Sequence, residues 1–251
     1  NGAIRVMPAC FATGQAAGTA AAHTVDNGAG SGFNAGGARA EKATFGGAVG
    51  DCFEVIAING KWNVVSAKNV TLGYFFHISE KEVSHLTKEQ MAANEETIAS
   101  SRFQMVRGTK GASDAALIHA YAAQPSLLRL SEAAENSGYF NAFPDSDGVI
   151  RWSPLAIKFQ DNYYYSLPLA LLVQYLDRPT TVLNLATFGA ESIQLGDREI
   201  PTDEMGRMLV NYLGPAKTFP HYGVSEILAG RIPAEAFKDK IVLVGATATG
   251  I

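Results

Sequence analysis

The chain has 251 residues and a mass of 26.6 kDa, and its 20 basic and 24 acidic side chains give a formal charge of −4. Hydrophobic residues make up 47% of the sequence and charged residues 18%, which excludes a wholly disordered chain. A pI near 5.7 gives no electrostatic footprint for nucleic acid, and no run of about 18 apolar residues forms a membrane-spanning helix. There is no starting Met or signal segment, so we expect a processed protein or an excised fragment.

The first 50 residues form a compositionally distinct leader. They hold 11 of the 25 glycines and only five charged side chains. An Ala-rich stretch from Phe11 to His23 predicts a short helix, and the glycine-rich residues 27–37 predict a flexible linker. We therefore divide the chain into a Gly/Ala-rich leader over residues 1–50 and an α/β domain over residues 51–251.

The two cysteines, Cys10 and Cys52, leave three alternatives open. They could form one disulfide in an oxidising compartment, stay as buried thiols, or be unrelated. Neither lies in a CxxC pair and no His stands beside either at ligand spacing, so we predict no metal site.

The first predicted elements after the leader are strands. Apolar runs at residues 53–58 and 62–65 flank Asn59-Gly60, a dipeptide typical of hairpin turns. Residues 70–76 are rich in β-branched and aromatic side chains and predict a second strand. Polar, Glu/Ala-rich residues 88–101 then predict an exposed helix.

The middle of the chain combines helical and strand patterns. Residues 113–123 repeat apolar side chains at helical spacing behind a capping Ser113, and residues 125–134 continue as a short helical run. Residues 149–159 predict a strand, residues 160–162 a turn, and residues 166–176 an apolar helix with Pro168 in its first turn. Residues 193–200 predict a hairpin through Gly196-Asp197.

The last predicted elements are a strand over residues 208–213, a helix turn over residues 224–229, and a strand over residues 241–244. The last of these is fully apolar between Lys240 and Gly245, which is typical of a central parallel strand. The predicted fold class is therefore α/β, with a mixed sheet, a central parallel strand near residues 240–245 and helices packed on it.

Charged residues concentrate in one turn between apolar segments. Asp145, Asp147 and Gly148 form an Asp-x-Asp-Gly pattern that opens calcium loops, but Ala156 stands where the bidentate acid would be required. The alternative is a turn capped by Asp side chains. Arg151 follows on the next strand and could pair with either carboxylate.

Two strand ends supply further polar groups. In open α/β sheets, ligands bind beyond the carboxyl ends of parallel strands. Asn211 and Tyr212 close one predicted strand, and Thr247 and Thr249 follow the other. If these groups converge with the Asp145–Arg151 turn, they form a site for a small organic ligand; if they are scattered, the domain signals through protein contacts.

No arrangement of residues predicts catalysis. There is no Ser/His/Asp or Cys/His pattern and no GxSxG, so we predict no catalytic residue and no enzyme activity. The cluster Tyr163-Tyr-Tyr165 could stack a ligand ring or pack in the core. GATATG at residues 245–250 lacks the Gly-Lys-Ser/Thr ending of a phosphate loop, so we predict no cofactor.

Five separated blocks resemble the CHASE2 family of extracytoplasmic sensor domains on bacterial transmembrane receptors. The blocks are GYFNAFPDSDGVIR at 138–151, YSLPLA at 165–170, IPTDEMG at 200–206, VNYLGP at 210–215 and FKDKIVLVGATATG at 237–250. KNVTLGYFF at 68–76 also fits as an earlier strand, so the resemblance covers roughly residues 68–251. The acidic strand and Trp-Pro-Arg turn with which family members usually begin are missing here, and members also continue beyond the Gly-Ala-Thr strand. We therefore expect a truncated domain.

The resemblance implies a periplasmic or cell-surface domain of a bacterial receptor whose kinase or cyclase output is not on this chain. The expected partners are an unknown small-molecule or protein signal and a second copy of the chain; the membrane would be reached only through segments absent from this chain. A structural or self-assembling extracellular subunit is the alternative, because the Gly/Ala-rich leader could dock on a neighbouring subunit.

The leader supplies a third hypothesis for the function. IRVMPAC at 4–10 followed by FATGQAAGTAAA at 11–22 is similar to the C-terminal helix region of FAD-dependent oxidoreductases. In those enzymes the glycine helix points its N-terminus at the flavin. The chain has no GxGxxG after a first strand, so a flavin-dependent oxidoreductase fragment stays the weakest of the three functions.

Overall fold

A computed structural model of the chain describes residues 40–45, 53–58, 61–215, 218–237 and 240–245. Side chains in these ranges are described from Val70 onward, except those of Glu135 and Leu228. The chain divides into two compact units. One comprises Asn1–Val70, Leu127–Glu135 and Leu213–Ile251, and the other, which we call the second unit, comprises Thr71–Ser126 and Asn136–Tyr212.

The described residues contain strands, four α-helices and three short 3-10 helices. The strands are β1 (Ala40–Phe45), β2 (Phe53–Ile58), β3 (Lys61–His77), β4 (Met105–Gly108), β5 (Ile118–Ala120), β6 (Ala122–Gln124), β7 (Ala134–Tyr139), β8 (Trp152–Pro154), β9 (Ala156–Phe159), β10 (Asn162–Tyr165), β11 (Thr181–Ala186), β12 (Gly189–Leu195), β13 (Arg198–Pro201) and β14 (Arg207–Leu209). The α-helices are α1 (Lys88–Thr97), α2 (Leu128–Ala133), α3 (Leu167–Tyr175) and α4 (Val224–Leu228); the 3-10 helices are Glu80–Glu82, Ala99–Ser101 and Ala234–Ala236.

The hairpin predicted around Asn59-Gly60 is confirmed by its two strands. β2 pairs with β3 antiparallel, with Ile58 opposite Lys61, and β1 pairs with β2 on its other side. β1 therefore lies in the part of the chain that the sequence assigns to the leader. The boundary at residue 50 stays a prediction, because residues 46–52 lie outside the described residues, as do the predicted helix over residues 11–23, the linker over residues 27–37 and both cysteines.

Sheets in the second unit mix parallel and antiparallel pairs, which confirms the predicted α/β class. β4 runs parallel to β11 in the sheet ordered β13-β12-β11-β4, and β5 runs parallel to β9 in the sheet ordered β10-β9-β5. β6 and β7 both pair with β3, and β8 and β14 form a two-stranded antiparallel ribbon.

Three local predictions are confirmed. The exposed helix predicted over residues 88–101 is α1 with the 3-10 turn after it. The apolar helix predicted over residues 166–176 is α3, with Ser166 at its N-cap and Pro168 in its first turn. The hairpin through Gly196-Asp197 joins β12 to β13, where Gly196 has the positive φ of 59° that such a tight turn requires.

The helix predicted over residues 113–123 is wrong. Ile118–Ala120 pairs in parallel with β9, and Ala122–Gln124 pairs antiparallel with β3. The segment has apolar side chains that suit either period, and the strand partners supplied by the tertiary structure override the helical pattern.

The central strand predicted near residues 240–245 is also wrong. Residues 241–245 have no regular secondary structure, and the side chains of Ile241 to Val244 are 40–61% exposed. An apolar run becomes a strand only where neighbouring strands accept its backbone hydrogen bonds, and no strand of the described residues pairs with this segment.

The core of the second unit consists of two clusters. One packs α3 against β11 and β12, with Leu183, Ile193 and Leu195 at most 1% exposed. The other is aromatic and contains Tyr74, Phe76, Ile98, Ala123, Tyr139, Ile157, Phe159 and Tyr164. Rings in this cluster meet edge-on or tilted, with centroids 5.3–6.5 Å apart, as aromatic pairs prefer. Tyr164 belongs to the aromatic cluster and Tyr165 to the first cluster, which supports core packing for the tyrosine run.

Candidate functional site

The Asp145–Arg151 turn is a closed backbone loop. The amide of Asp145 donates to the carbonyl of Val149 at 2.9 Å, and the amide of Gly148 donates to the carbonyl of Asp145 at 2.8 Å. Gly148 has a φ of +80°, a left-handed conformation that glycine adopts without steric cost. The Asp147 carboxylate also accepts from the amide of Val149 at 3.1 Å. These bonds fix where both carboxylates point.

Arg151 donates hydrogen bonds to both carboxylates of the turn. Its Nη1 donates to Asp145 Oδ2 at 2.8 Å and to Asp147 Oδ1 at 2.9 Å, and its Nη2 donates to Asp147 Oδ2 at 2.7 Å. The hydrogen bond from Arg151 lowers the pKa of Asp147 to about 2, and the same bond raises the pKa of Arg151. Two carboxylates and one guanidinium leave a net charge of −1 on the turn.

This geometry favours the capped turn over the calcium loop. The guanidinium of Arg151 holds the carboxylate oxygens that a cation would need. Within the described residues, no group of three or more His, Cys, Asp or Glu side chains is placed to hold a metal ion.

The structure brings Tyr212 to this turn. The hydroxyl of Tyr212 donates to the carbonyl of Ile150, and the amide of Val210 donates to the carbonyl of Arg151 at 2.8 Å. The backbone bond from Val210 continues the β8–β14 ribbon, in which Leu209 lies opposite Trp152. Asn211 lies between the two bonded residues and is exposed.

The strand that brings Tyr212 there is shorter than predicted and pairs differently. The sequence predicts a strand over residues 208–213 with its carboxyl end beside parallel neighbours. Only Arg207–Leu209 is a strand, and it is antiparallel to β8. Tyr212 therefore meets the Asp145–Arg151 turn across an antiparallel ribbon, and not at the edge of a parallel sheet.

A second ion pair lies at the other end of the ribbon. Arg207 donates from Nε and Nη2 to Asp203 Oδ2 at 2.8 and 2.7 Å, and its guanidinium carbon lies 4.8 Å from the centre of the Trp152 ring. The other Asp203 oxygen accepts from the amides of Met205 and Arg207. The cation–π contact and the two charge-assisted bonds to Asp203 Oδ2 together hold this end of the ribbon.

We define the candidate recognition surface as Asp145, Asp147, Arg151, Asn211 and Tyr212. It is open: the side chains of Asp147 and Arg151 are 52% and 47% exposed, and Tyr212 is 64% exposed. A surface this open suits contact with another polypeptide better than a small molecule, because small-molecule sites bury most of the ligand. Thr247 and Thr249, the other predicted ligand contacts, lie outside the described residues.

Two half-buried polar networks were not predicted. Glu95 Oε1 accepts from Tyr164 Oη and Asn162 Nδ2 at 2.9 Å and from Arg102 Nη2 at 3.2 Å. Burial is the main cause of the raised pKa of Tyr164. The partners are up to 69 residues apart in sequence, so no spacing pattern predicts this network.

The second network centres on Asp114. Its Oδ2 accepts from Lys158 Nζ at 2.6 Å and from the hydroxyl of Tyr163. The bond from Lys158 holds the pKa of Asp114 below its usual value, and burial together with the Asp114 bond raises the pKa of Tyr163. A tyrosine whose pKa is raised stays protonated, so Tyr163 acts as a hydrogen-bond donor to Asp114.

No helix among the described residues has the length and apolarity needed to cross a membrane. No curated protein and no solved structure matches the chain. The family model for FAD dependent oxidoreductase matches residues 1–31, a short stretch outside the described residues.

The family model for the CHASE2 domain matches residues 66–251, about three quarters of the sequence. That range includes all of the second unit, the aromatic cluster and the candidate recognition surface. The chain therefore belongs to the CHASE2 family, whose members are sensory domains of signalling receptors.

Proposed function

We propose that this chain is the non-enzymatic, extracytoplasmic sensor domain of a bacterial signalling receptor. The observation that carries the proposal is the CHASE2 match over residues 66–251. In a sensor, a ligand or partner acts by binding one conformation better than another, so the domain needs a recognition surface and no catalytic group.

The candidate recognition surface is where we expect the signal to bind. Its carboxylates and guanidinium are already paired and held at fixed positions, so binding costs little ordering of these side chains. The exposed ring of Tyr212 supplies the apolar contact, and the net charge of −1 favours a basic group on the partner. A polypeptide with a basic side chain beside apolar ones fits this combination best.

Reporter fusions test the compartment. Alkaline phosphatase joined after Ile251 in the natural gene is active only if the junction lies outside the cytoplasm, whereas β-galactosidase at the same junction is active only inside. High phosphatase and low β-galactosidase activity is the expected pair of results. The reverse pair would exclude an extracytoplasmic domain.

Signalling by the intact receptor tests the surface. Arg151→Ala and Tyr212→Ala should each reduce the response to the natural stimulus at unchanged receptor level, since they remove a fixed charge and an apolar contact. Phe188→Ala is the control, because Phe188 is 59% exposed at the β11–β12 turn, outside the surface. Equal responses from all three variants would place recognition elsewhere.

The two competing functions have separate readouts. A flavin enzyme fragment, suggested by the match at residues 1–31, would give the purified protein flavin absorption in the visible range. A self-assembling subunit would form large particles in light scattering. A colourless protein of small, defined size is the result that the sensor proposal expects.

A further inference from the structure

Helix α1 is attached to the second unit by polar contacts. None of its residues is buried; Met91, Asn94, Glu95 and Thr97 are half-buried and the other six are exposed. A helix normally docks through an apolar stripe, which α1 lacks. Its hold on the unit must therefore come from specific hydrogen bonds.

Two adjacent side chains make those bonds, and we call them the α1 latch: Asn94 and Glu95. Asn94 Nδ2 donates to the carbonyl of Ala123 on β6 at 2.9 Å. Glu95 Oε1 accepts from Tyr164 Oη and Asn162 Nδ2, both at 2.9 Å, and forms an ion pair with Arg102 at 3.2 Å.

The first turn of the helix has a cap that does not involve the latch residues. Thr87 and Gln90 form a capping box, in which the Gln90 amide donates to Thr87 Oγ1 at 3.2 Å and the Thr87 amide donates to Gln90 Oε1 at 2.9 Å. These bonds are local to the first turn. If the latch opens, a helix of 10 residues is too short to stay fully formed in water, so its released amides become exchangeable.

The two ends of α1 are held differently. Beyond its C-terminal end, Ile98 is 1% exposed in the aromatic cluster, and buried Ser101 bonds Tyr74 at 2.7 Å. Before its N-terminal end, the 3-10 turn Glu80–Glu82 has no buried residue. This asymmetry makes Ile98 a fixed pivot and leaves the N-terminal end as the one that moves.

Opening the latch leaves few polar groups of the second unit unsatisfied. The hydroxyl of Tyr164 keeps its hydrogen bond from Arg102 Nε at 3.0 Å, and Arg102 is about one-third exposed and can be solvated. Glu95 moves into water. Separation therefore avoids the large cost of orphaned buried groups.

From these contacts we propose that α1 is a releasable helix: it pivots about Ile98 between a docked state, closed by Asn94 and Glu95, and an open state that uncovers the outer edge of β6. Ala123 lies opposite Phe76, whose own backbone groups bond Asn141, so the Ala123 carbonyl points to the side of β6 away from β3. The inference concerns a motion of this chain and does not depend on what binds the candidate recognition surface.

Native-state hydrogen exchange on the whole chain tests this. In the wild-type protein, amides of α1 should exchange faster than those of β9 and β11, through an opening whose rate is nearly independent of low denaturant concentrations. Such behaviour identifies local release as distinct from global unfolding. Exchange of α1 only through global unfolding would overturn the proposal, whatever the variants do.

Variants test the latch itself. Asn94→Ala with Glu95→Ala should raise α1 exchange by roughly tenfold or more, because several hydrogen bonds are lost, while exchange in β9 and β11 changes less than about twofold. Lys88→Ala is the matched control on an exposed position of the same helix. Equal acceleration in α1 and in the core strands, or no acceleration at all, would show that Asn94 and Glu95 are not a latch.

Discussion

The hydroxyl of Tyr212 donates a hydrogen bond to the backbone carbonyl of Ile150, across 62 residues of sequence. That bond places an exposed aromatic ring beside the only guanidinium of the Asp145–Arg151 turn. Two segments that sequence analysis marks for different reasons, one for charge and one for a strand end, thereby become parts of one surface.

Removing this bond should have a local effect. In Tyr212→Phe, NMR amide shifts should change at residues 149–152 and stay unchanged in β11 and β12. The free energy of unfolding should fall by less than about 1 kcal/mol, because the ring is exposed and water takes the place of the hydroxyl as donor to the Ile150 carbonyl. Tyr175→Phe, in which a tyrosine that is 71% exposed loses its hydroxyl, is the control. Unperturbed shifts near Arg151 would mean that the bond is not formed in solution.

The ion pair in the turn should survive into strong acid. The pKa of Asp147 is lowered to about 2 by Arg151, against about 3.9 for an unperturbed Asp. Because the folded value is the lower one, the pair stabilises the turn fully above about pH 4, and this contribution is lost as the pH falls through 2. The carboxyl carbon of Asp147 should titrate near pH 2 by NMR, and in Arg151→Ala near pH 4. A midpoint near 4 in the wild type would contradict the pairing.

Gly138 has no room for a side chain. A Cβ at this position would lie 2.5 Å from the Cα of Leu167 and 2.9 Å from the Cβ of Ala170, so β7 and the first turn of α3 would have to separate. Gly138→Ala should lower the free energy of unfolding by about 3 kcal/mol in urea. Gly148→Ala is the comparison, since a Cβ there meets nothing within 4 Å and only the positive φ costs about 1 kcal/mol. Similar losses in the two variants would argue against this close approach.

Two leucines in apolar runs should differ sharply. Leu183 in β11 is 0% exposed, whereas Leu243 is 61% exposed in residues 241–245. Leu183→Ala should cost roughly 2–5 kcal/mol of unfolding free energy through the cavity it leaves, and Leu243→Ala should stay within about 0.5 kcal/mol. If Leu243→Ala costs as much as Leu183→Ala, residues 241–244 form the buried strand that their sequence predicts.

The sequence by itself determined the elements that rest on local chemistry. Pro168 behind Ser166 starts α3, polar residues 88–97 form the exposed helix α1, and Gly196-Asp197 turns β12 into β13. The blocks at 138–151, 165–170 and 200–215 also indicated the family without reference to contacts. These features depend on caps, turns and residue order, which are properties of neighbouring residues in the chain.

Only the tertiary structure decided the remaining elements, because the local sequence pattern does not specify which strands pair. Ile118–Ala120 and Ala122–Gln124 form strands because they pair with β9 and β3. Residues 241–244 form no strand, because no described strand pairs with them. The ion pair between Asp147 and Arg151 could be predicted, because the two residues are only four positions apart. Glu95 with Tyr164 was not: two half-buried polar groups 69 residues apart meet only after the strands between them have folded.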